Sequence, residues 1–312
     1  MRRFLSFLPL FVAVSTTVTG LHAGEVVSPK AHTQAAAATT GTDEALLREF
    51  LAPELAFRYD YDFPMSLENA PGEYSMHEFR TSVPLPPVIT DTFVLMAKLN
   101  YRLFLADVDT TVLNEDLDLH TLRLPIQAAW LSPSSPWLAA AYVEPGFSTD
   151  FNQVNSDAFD LSAGFGIGYR FSPNFMAAVG GGYSRNYGDD EFFPVLALLW
   201  RVNDRFTVTF SPDGLIPSYK VNDDLYIKLR AELIGGRWLI EDEEGRERIL
   251  RLQGASATLQ AEQRLFKDCW LTLGVGINAL SELRIEDSDE RELLDEDLEE
   301  GVVIRTGLKW VF

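Results

Sequence analysis

"LAFRYDYDF" (residues 55–63) alternates without a break. Leu55, Phe57, Tyr59, Tyr61 and Phe63 fall on one parity; Arg58, Asp60 and Asp62 fall on the other. A period of two reads as a β-strand with one apolar and one charged face. What each face meets decides the fold. In a water-soluble sandwich or closed barrel the apolar face turns inward and the solvating charges turn outward.

The same pattern recurs along the chain. "TFVLMAKLNYRL" (92–103) sets Phe93, Leu95, Ala97, Leu99 and Tyr101 against Lys98, Asn100 and Arg102. "FDLSAGFGIGYRF" (159–171) sets Phe159, Leu161, Phe165, Ile167, Tyr169 and Phe171 against Ser162, three glycines and Arg170. "LYIKLRAEL" (225–233) sets Leu225, Ile227, Leu229 and Leu233 against Lys228, Arg230 and Glu232. The polar parity is thus rich in Gly, Ser and isolated charges of both signs. The apolar parity is rich in Phe, Tyr, Trp and Leu, with the aromatics near strand ends. That distribution describes an inverted barrel, with lipid outside, a polar lumen inside and aromatic girdles at both interfaces. Hydrocarbon tolerates β-structure only when the sheet closes and leaves no edge.

Short hinges punctuate the strands: "YRFSPNF" (169–175), "WRVNDRF" (200–206), "YKVNDDL" (219–225), more loosely "QRLFKDCW" (263–270), and "SPSSP" (132–136). Their turn formers specify tight hairpins. Longer acidic stretches alternate with them. The expected fold is all-β: a transmembrane antiparallel up-and-down β-barrel of 12–14 strands, 14 preferred. Short turns lie on the periplasmic side and longer acidic loops outside. The pair at 205–221 holds Pro212 and Pro217 and is expected to be irregular. Residues 248–265 form the weakest strand, because neither parity is cleanly apolar.

Net charge is −20, which argues against a nucleic-acid partner. Nearly all of it lies in 107–118, 241–247 and 286–300. At the N-terminus Arg2 and Arg3 precede the apolar run "FLSFLPLFVAV" (4–14), and "GLHA" (20–23) offers a cleavage site. Residues 1–23 read as a signal peptide. Residues 24–53 read as a periplasmic linker with a short helix near 43–51, and 54–312 as the barrel. The expected location is the outer membrane of a Gram-negative-type bacterium after export. Cys269 is the only cysteine, so the chain has no internal disulfide.

The final strand carries a resemblance. Leu308, Trp310 and Phe312 end the chain in alternating apolar residues with a terminal Phe. This is similar to the C-terminal strand of bacterial outer-membrane β-barrel proteins, which implies an assembly signal read by the barrel assembly machinery. The repeated hairpins also resemble an uncharacterised outer-membrane barrel family, a domain of unknown function. That resemblance spans about 54–312 and implies an architecture and a location, without an activity.

Catalytic constellations are weak. His77 lies near Ser75 and Glu78, but in a strand it shares a face with Ser75 and opposes Glu78. His120 could pair with Asp118, yet a strand-end histidine in an interfacial belt is the simpler reading. "GFGIG" (164–168) and "GGG" (180–182) sit within strands, so they fail as phosphate loops. No metal-ligand spacing, cofactor or enzymatic activity is expected. The acidic loops offer weak Ca²⁺ or Mg²⁺ binding.

The expected function is a passive, porin-like channel for small hydrophilic solutes. Its lumen would be lined by Arg58, Asp60, Lys98, Arg102, Arg123, Lys228, Arg230, Glu232, Arg305 and Lys309. The alternative is a non-transporting structural or surface-interaction barrel with cation-binding acidic loops; a lipid-modifying enzyme is the remote third. Lipid and lipopolysaccharide are the expected surroundings, with a monomer as the expected state and an oligomer as the alternative. Deleting Phe312, or replacing it with Asp, should leave signal processing intact. It should sharply reduce heat-modifiable barrel in the outer-membrane fraction; normal insertion would contradict the assembly signal.

Overall fold

The computed structural model describes residues 53–132, 134–152, 154–185, 191–212, 214–289 and 291–312. The expected signal peptide, the linker up to residue 52 and the short helix lie outside these residues. Strand segments dominate: β1 (Glu54–Ser66), β2 (Glu73–Pro84), β3 (Val88–Ile89), β4 (Phe93–Asp109), β5 (Asn114–Arg123) and β6 (Ile126–Leu131). They continue with β7 (Trp137–Thr149), β8 (Phe159–Ser172), β9 (Phe175–Ser184), β10 (Glu191–Arg201), β11 (Phe206–Ser211) and β12 (Gly214–Asn222). The last five are β13 (Leu225–Glu241), β14 (Glu247–Phe266), β15 (Cys269–Asp287), β16 (Glu292–Leu298) and β17 (Gly301–Val311).

Neighbouring segments pair antiparallel around the sheet, and β17 returns to β1 from Glu54↔Val311 to Asp62↔Val303. The sheet is therefore closed. Of its 17 segments, β3 extends the line of β2 along β4. Likewise β5 and β6 are one stave interrupted at Leu124–Pro125, and β16 and β17 are one stave interrupted at 299–300. Fourteen staves thus complete the ring. The first break has a plain cause, since Pro125 has no N–H to give to the ladder. The irregular pair expected at 205–221 forms two real but short strands, β11 and β12.

Around the middle of the barrel the exterior is apolar and exposed: Phe165 67%, Val179 62%, Leu259 56%, Val275 54%. In water such a band would be an aggregation surface, whereas against hydrocarbon it is the matching one. Aromatic rings border it at both rims. At the rim holding both chain ends of the barrel, rings link strand to strand. Trp137 meets Tyr169 at 4.9 Å, Tyr169 meets Phe171 at 5.0 Å, and Phe171 meets Phe175 at 5.4 Å. The other rim carries Tyr59, Tyr61 and Phe63 with His77, and Tyr183 with Phe192. On the inner face of β8 and β9, glycines leave room for large neighbours. Tyr142 lies over Gly164, and Phe193 over Gly182, each directly opposite its glycine in the ladder.

About 9–11 residues suffice to cross a bilayer as a tilted strand. β13, β14 and β15 have 17, 20 and 19 residues, so their upper parts project beyond it. They do not stand upright. Gly235 adopts φ +125°, with the Leu252 carbonyl against the place a Cβ would occupy. The β14 ladder shifts between Gln253 and Ala255, and Leu280 on β15 has φ +53°. These three irregularities are aligned across adjacent strands and form one fold line.

Above that line the sheet bends over the mouth as a lid. Leu239 bridges to Thr149 of β7, and Asp150 N–H donates to the Leu239 carbonyl at 3.2 Å. Trp238 Nε1 donates to Thr121 Oγ1 at 3.0 Å, and its ring meets Phe104 edge-on at 4.9 Å. Beneath the lid, Trp238, Ile240, Leu250, Leu252, Leu283 and Ile285 pack against Met76, Phe104, Val108 and Leu119 of the opposite wall. The lid's other face buries Leu239 and Ile249 against Ala158. Being covered on both sides, residues 236–240 read as a continuous apolar run broken only by Arg237.

This arrangement corrects the expectation of long acidic loops. Residues 286–300 are mostly strand: β15 runs to Asp287, and β16 pairs with it from Ser281↔Leu298 to Glu286↔Glu292. Leu294 and Leu298 are buried while Asp295 and Asp297 are exposed. Residues 107–118 likewise end β4 and begin β5 around a short turn, with Val108, Leu113 and Leu117 buried. Most of these acids are on the solvent face of a cap whose other face is a core, while Glu286 is buried against Arg251 at 3.0 Å.

Two outcomes are expected. Trp238→Ala should destabilise the lid by about 3–5 kcal/mol, read by urea titration, while the heat-modifiable barrel persists. The second concerns Asp242 at the lid's tip, which accepts from the Arg246 N–H at 2.9 Å and from its Nε at 2.8 Å. Burial alone would raise the Asp242 pKa, but these bonds and the Arg246 charge outweigh it, and the pKa is lowered. Its stabilising contribution is therefore full above the ordinary aspartate value of about 4 and fades as pH falls through the lower folded value. Trp238 fluorescence should show an acid transition containing a component that Asp242→Asn removes.

Candidate functional site in the barrel lumen

The inner parity of β1, β2, β4, β13 and β17 is charged, and the strand register stacks those charges in rows. Arg58 lies opposite Arg80, and Arg80 opposite Arg102, across β1, β2 and β4. One residue pair higher, Asp60 lies opposite Glu78 on one side and Arg305 on the other. Like charges directly opposite repel, and the carboxylates relieve this. Glu78 accepts from Arg80 at 2.7 Å and Arg102 at 2.6 Å, with Arg58 at 4.0 Å. Asp60 takes Arg58 at 2.7 Å and Arg305 at 2.9 Å. Glu232 takes Arg230 at 2.6 Å, and Arg305 reaches it from β17 at 2.7 Å. The network spans the lumen.

A second cluster lies toward the rim that holds both chain ends of the barrel. Glu262 is shared by Lys228 at 2.8 Å and Lys309 at 2.7 Å. Lys309 Nζ also sits 5.7 Å from the Trp270 ring, and Arg264 stacks on that ring at 4.7 Å. A third cluster lies toward the lid, where Arg123 faces Glu144 at 3.4 Å and Asp160 at 3.6 Å. Thr121 donates to Ser148, and Ser148 to Asp160.

Between these clusters lies a polar cavity of about 150 Å³. It extends along the barrel from Glu54, the first residue of β1, to Gly235 at the fold line. Of the residues singled out from sequence, Arg58, Asp60, Arg102, Arg123, Arg230, Glu232 and Arg305 border it. Lys228 and Lys309 lie in the Glu262 cluster, and Lys98 shares the β4 parity of Arg102. Sequence reasoning left Asp62, although read on the charged parity, out of the lining, and it missed Glu78, Arg80, Glu144, Asp160 and Glu262. For two of them a signal was present: "MHEFRT" (76–81) puts Glu78 and Arg80 on one parity and His77 and Phe79 on the other.

The histidines sit elsewhere. His77 is bonded to Tyr59 at 2.8 Å and stacked on Tyr61 at 4.5 Å, on the face opposite Glu78. His120 is bonded to Tyr101 at 2.7 Å and packs on Phe151. Both belong to the outward aromatic belt, so neither joins a nucleophile to a carboxylate. Among the described residues, no group of three or more His, Cys, Asp or Glu is disposed to hold a metal ion.

A closed antiparallel ring with an apolar exterior, aromatic rims and a charged interior defines a membrane-spanning β-barrel. The sequence matches the family described as "Domain of unknown function (DUF6268)" over residues 122–311, and the chain belongs to that family. No curated protein matches it. Among solved structures it is similar to a TodX monoaromatic hydrocarbon channel deltaS2 mutant, with TM-score 0.45 and 10% identity over 84% of this chain and 90% of that one. It is also similar to the Pseudomonas putida toluene transporter TodX, with TM-score 0.41 and 11% identity over 84% and 90%. A third likeness is to the NanC porin, with TM-score 0.40 and 11% identity over 82% and 98%. These likenesses are distant, and what those proteins pass does not transfer to this chain.

Removing Glu78 should be costly because it leaves three arginines facing one another. Glu78→Gln is expected to destabilise the folded barrel by about 3–5 kcal/mol. Adding Arg102→Gln should recover part of that loss, since one uncompensated charge is removed; urea unfolding in detergent measures both.

Proposed function

We propose that the protein is an outer-membrane barrel that passes small hydrophilic solutes through its charged lumen, with the lid closing the external end. The observation that carries this reading is the polar cavity running from Glu54 to the fold line at Gly235. A barrel interior needed only for stability has no use for so many charges. Well-packed apolar residues in place of buried ion pairs are often neutral or stabilising. Rings of charged side chains are instead the usual lining of a conduit.

Closure belongs to the lid, because its Trp238-centred core covers the end of the lumen that the ion pairs leave polar. Opening requires the segment above Gly235 to lift as a unit about the aligned irregularities on β13, β14 and β15. The exterior meets lipid and lipopolysaccharide, and Leu308, Trp310 and Phe312 serve the assembly machinery during insertion. The reading involves no catalysis.

A fixed plug is the second reading, favoured by how completely the lid core is buried: Leu283 and Ile285 are both 0% exposed. Planar-bilayer recording separates the two. Excising 237–250 and joining 236 to 251 through a short turn should raise single-channel conductance severalfold over the intact chain. Rare, small openings of the intact chain support the gated conduit. Conductance only in the excised variant would favour the fixed plug, and none in either would overturn transport altogether.

A further inference from the structure

The chain is strongly acidic, yet the middle of its lumen is basic. Five guanidiniums, of Arg58, Arg80, Arg102, Arg230 and Arg305, meet three carboxylates, of Asp60, Glu78 and Glu232. Two positive charges therefore stand in excess in this band. Glu54 and Asp62 border the same cavity, near enough to feel the charges of Arg230 and Arg305 respectively, so the excess is local to the ion-paired cluster. Arg58, Arg80 and Arg102 stand directly opposite one another on three adjacent strands, an arrangement that costs stability and that three carboxylates do not neutralise. The Arg58 Nε is buried without a hydrogen-bond partner, although its terminal nitrogen is paired. Forked donors converging on one cavity suit planar or tetrahedral oxygen anions.

We propose that this arginine band is an anion site that takes small dianions bearing oxyanion groups, such as inorganic sulfate or a short dicarboxylate. A dianion supplies acceptors to the Arg58–Arg80–Arg102 row and relieves the repulsion along it. The inference deepens the conduit reading, since the conduit gives solutes access to the band and the band selects among them. The acidic outer surface and the basic lumen then act in series: the surface disfavours anions at long range, and the band holds those that enter.

The test is calorimetric titration of the intact barrel in detergent with sodium sulfate, at constant ionic strength set by chloride. One saturable site per barrel is expected, weakened at least about tenfold in Arg80→Gln, the loss of one charge-assisted bond. Glu78→Gln supplies an independent readout. That variant should regain thermal stability on adding sulfate, by more than Arg80→Gln/Arg102→Gln does under the same conditions. No saturable sulfate binding, or equal binding by wild type and Arg80→Gln, would overturn the site. Sulfate binding without bilayer conductance would leave the site and remove the conduit. Conductance without anion preference or sulfate binding would leave the conduit and remove the site.

Discussion

A peptide group in hydrocarbon has no water to bond, and this one constraint organises the molecule. Every N–H and C=O crossing the bilayer must find a partner on a neighbouring strand. The first and last strands must therefore meet, as Glu54–Asp62 meets Val303–Val311. Once the ring is closed, strand alternation assigns each side chain to lipid or lumen with no third option. Leu308 and Trp310 go to lipid, while Arg305 and Lys309 go inside. The same geometry confines charges to the interior, since theirs is the parity that lipid rejects.

The constraint lapses where strands leave the membrane, and the structure changes there. Above the bilayer an apolar exterior would face water, so the apolar residues need another surface. The long strands β13, β14 and β15 supply it by bending at Gly235, near Gly254 and at Leu280. Their upper ends become a layer between the opposite wall and the β7–β8 connection. The result joins two kinds of packing in one chain: a lipid-solvated barrel and, above it, a cap with a core like that of a soluble protein. The ion pairs mark the boundary between them, because Thr121 bonds both Trp238 in the cap and Ser148 in the charged cluster.

Much of this was legible in the residues. Alternation in 55–63, 92–103, 159–171 and 225–233 gave strand identity and faces, and turn formers such as Pro173 with Asn174 gave the hairpins. The cap was not legible, for a physical reason. Residues 248–265 look irregular because a single strand passes from bilayer to cap, and the environment of each face changes along its length. Leu294 and Leu298 are spaced as a buried strand face, but ten acids within 286–300 outweigh three leucines in any composition-based reading. Glu144 and Glu262 were equally hard to single out, because a lone acid on a strand becomes a site only when basic partners arrive from other strands.

The sequence by itself determined the parity of the bilayer-crossing strands that alternate cleanly, the closed all-β architecture and the segregation of aromatics to rims, because these depend on periods of two and on short-range turn chemistry. Only the tertiary structure decided which charges meet. Arg305 and Asp60 lie 245 positions apart, and Arg305 with Glu232 closes the lumen from strands that are not neighbours. It alone also decided that the projecting ends fold inward. That outcome depends on an apolar surface waiting on the far wall, which no local stretch of sequence can see.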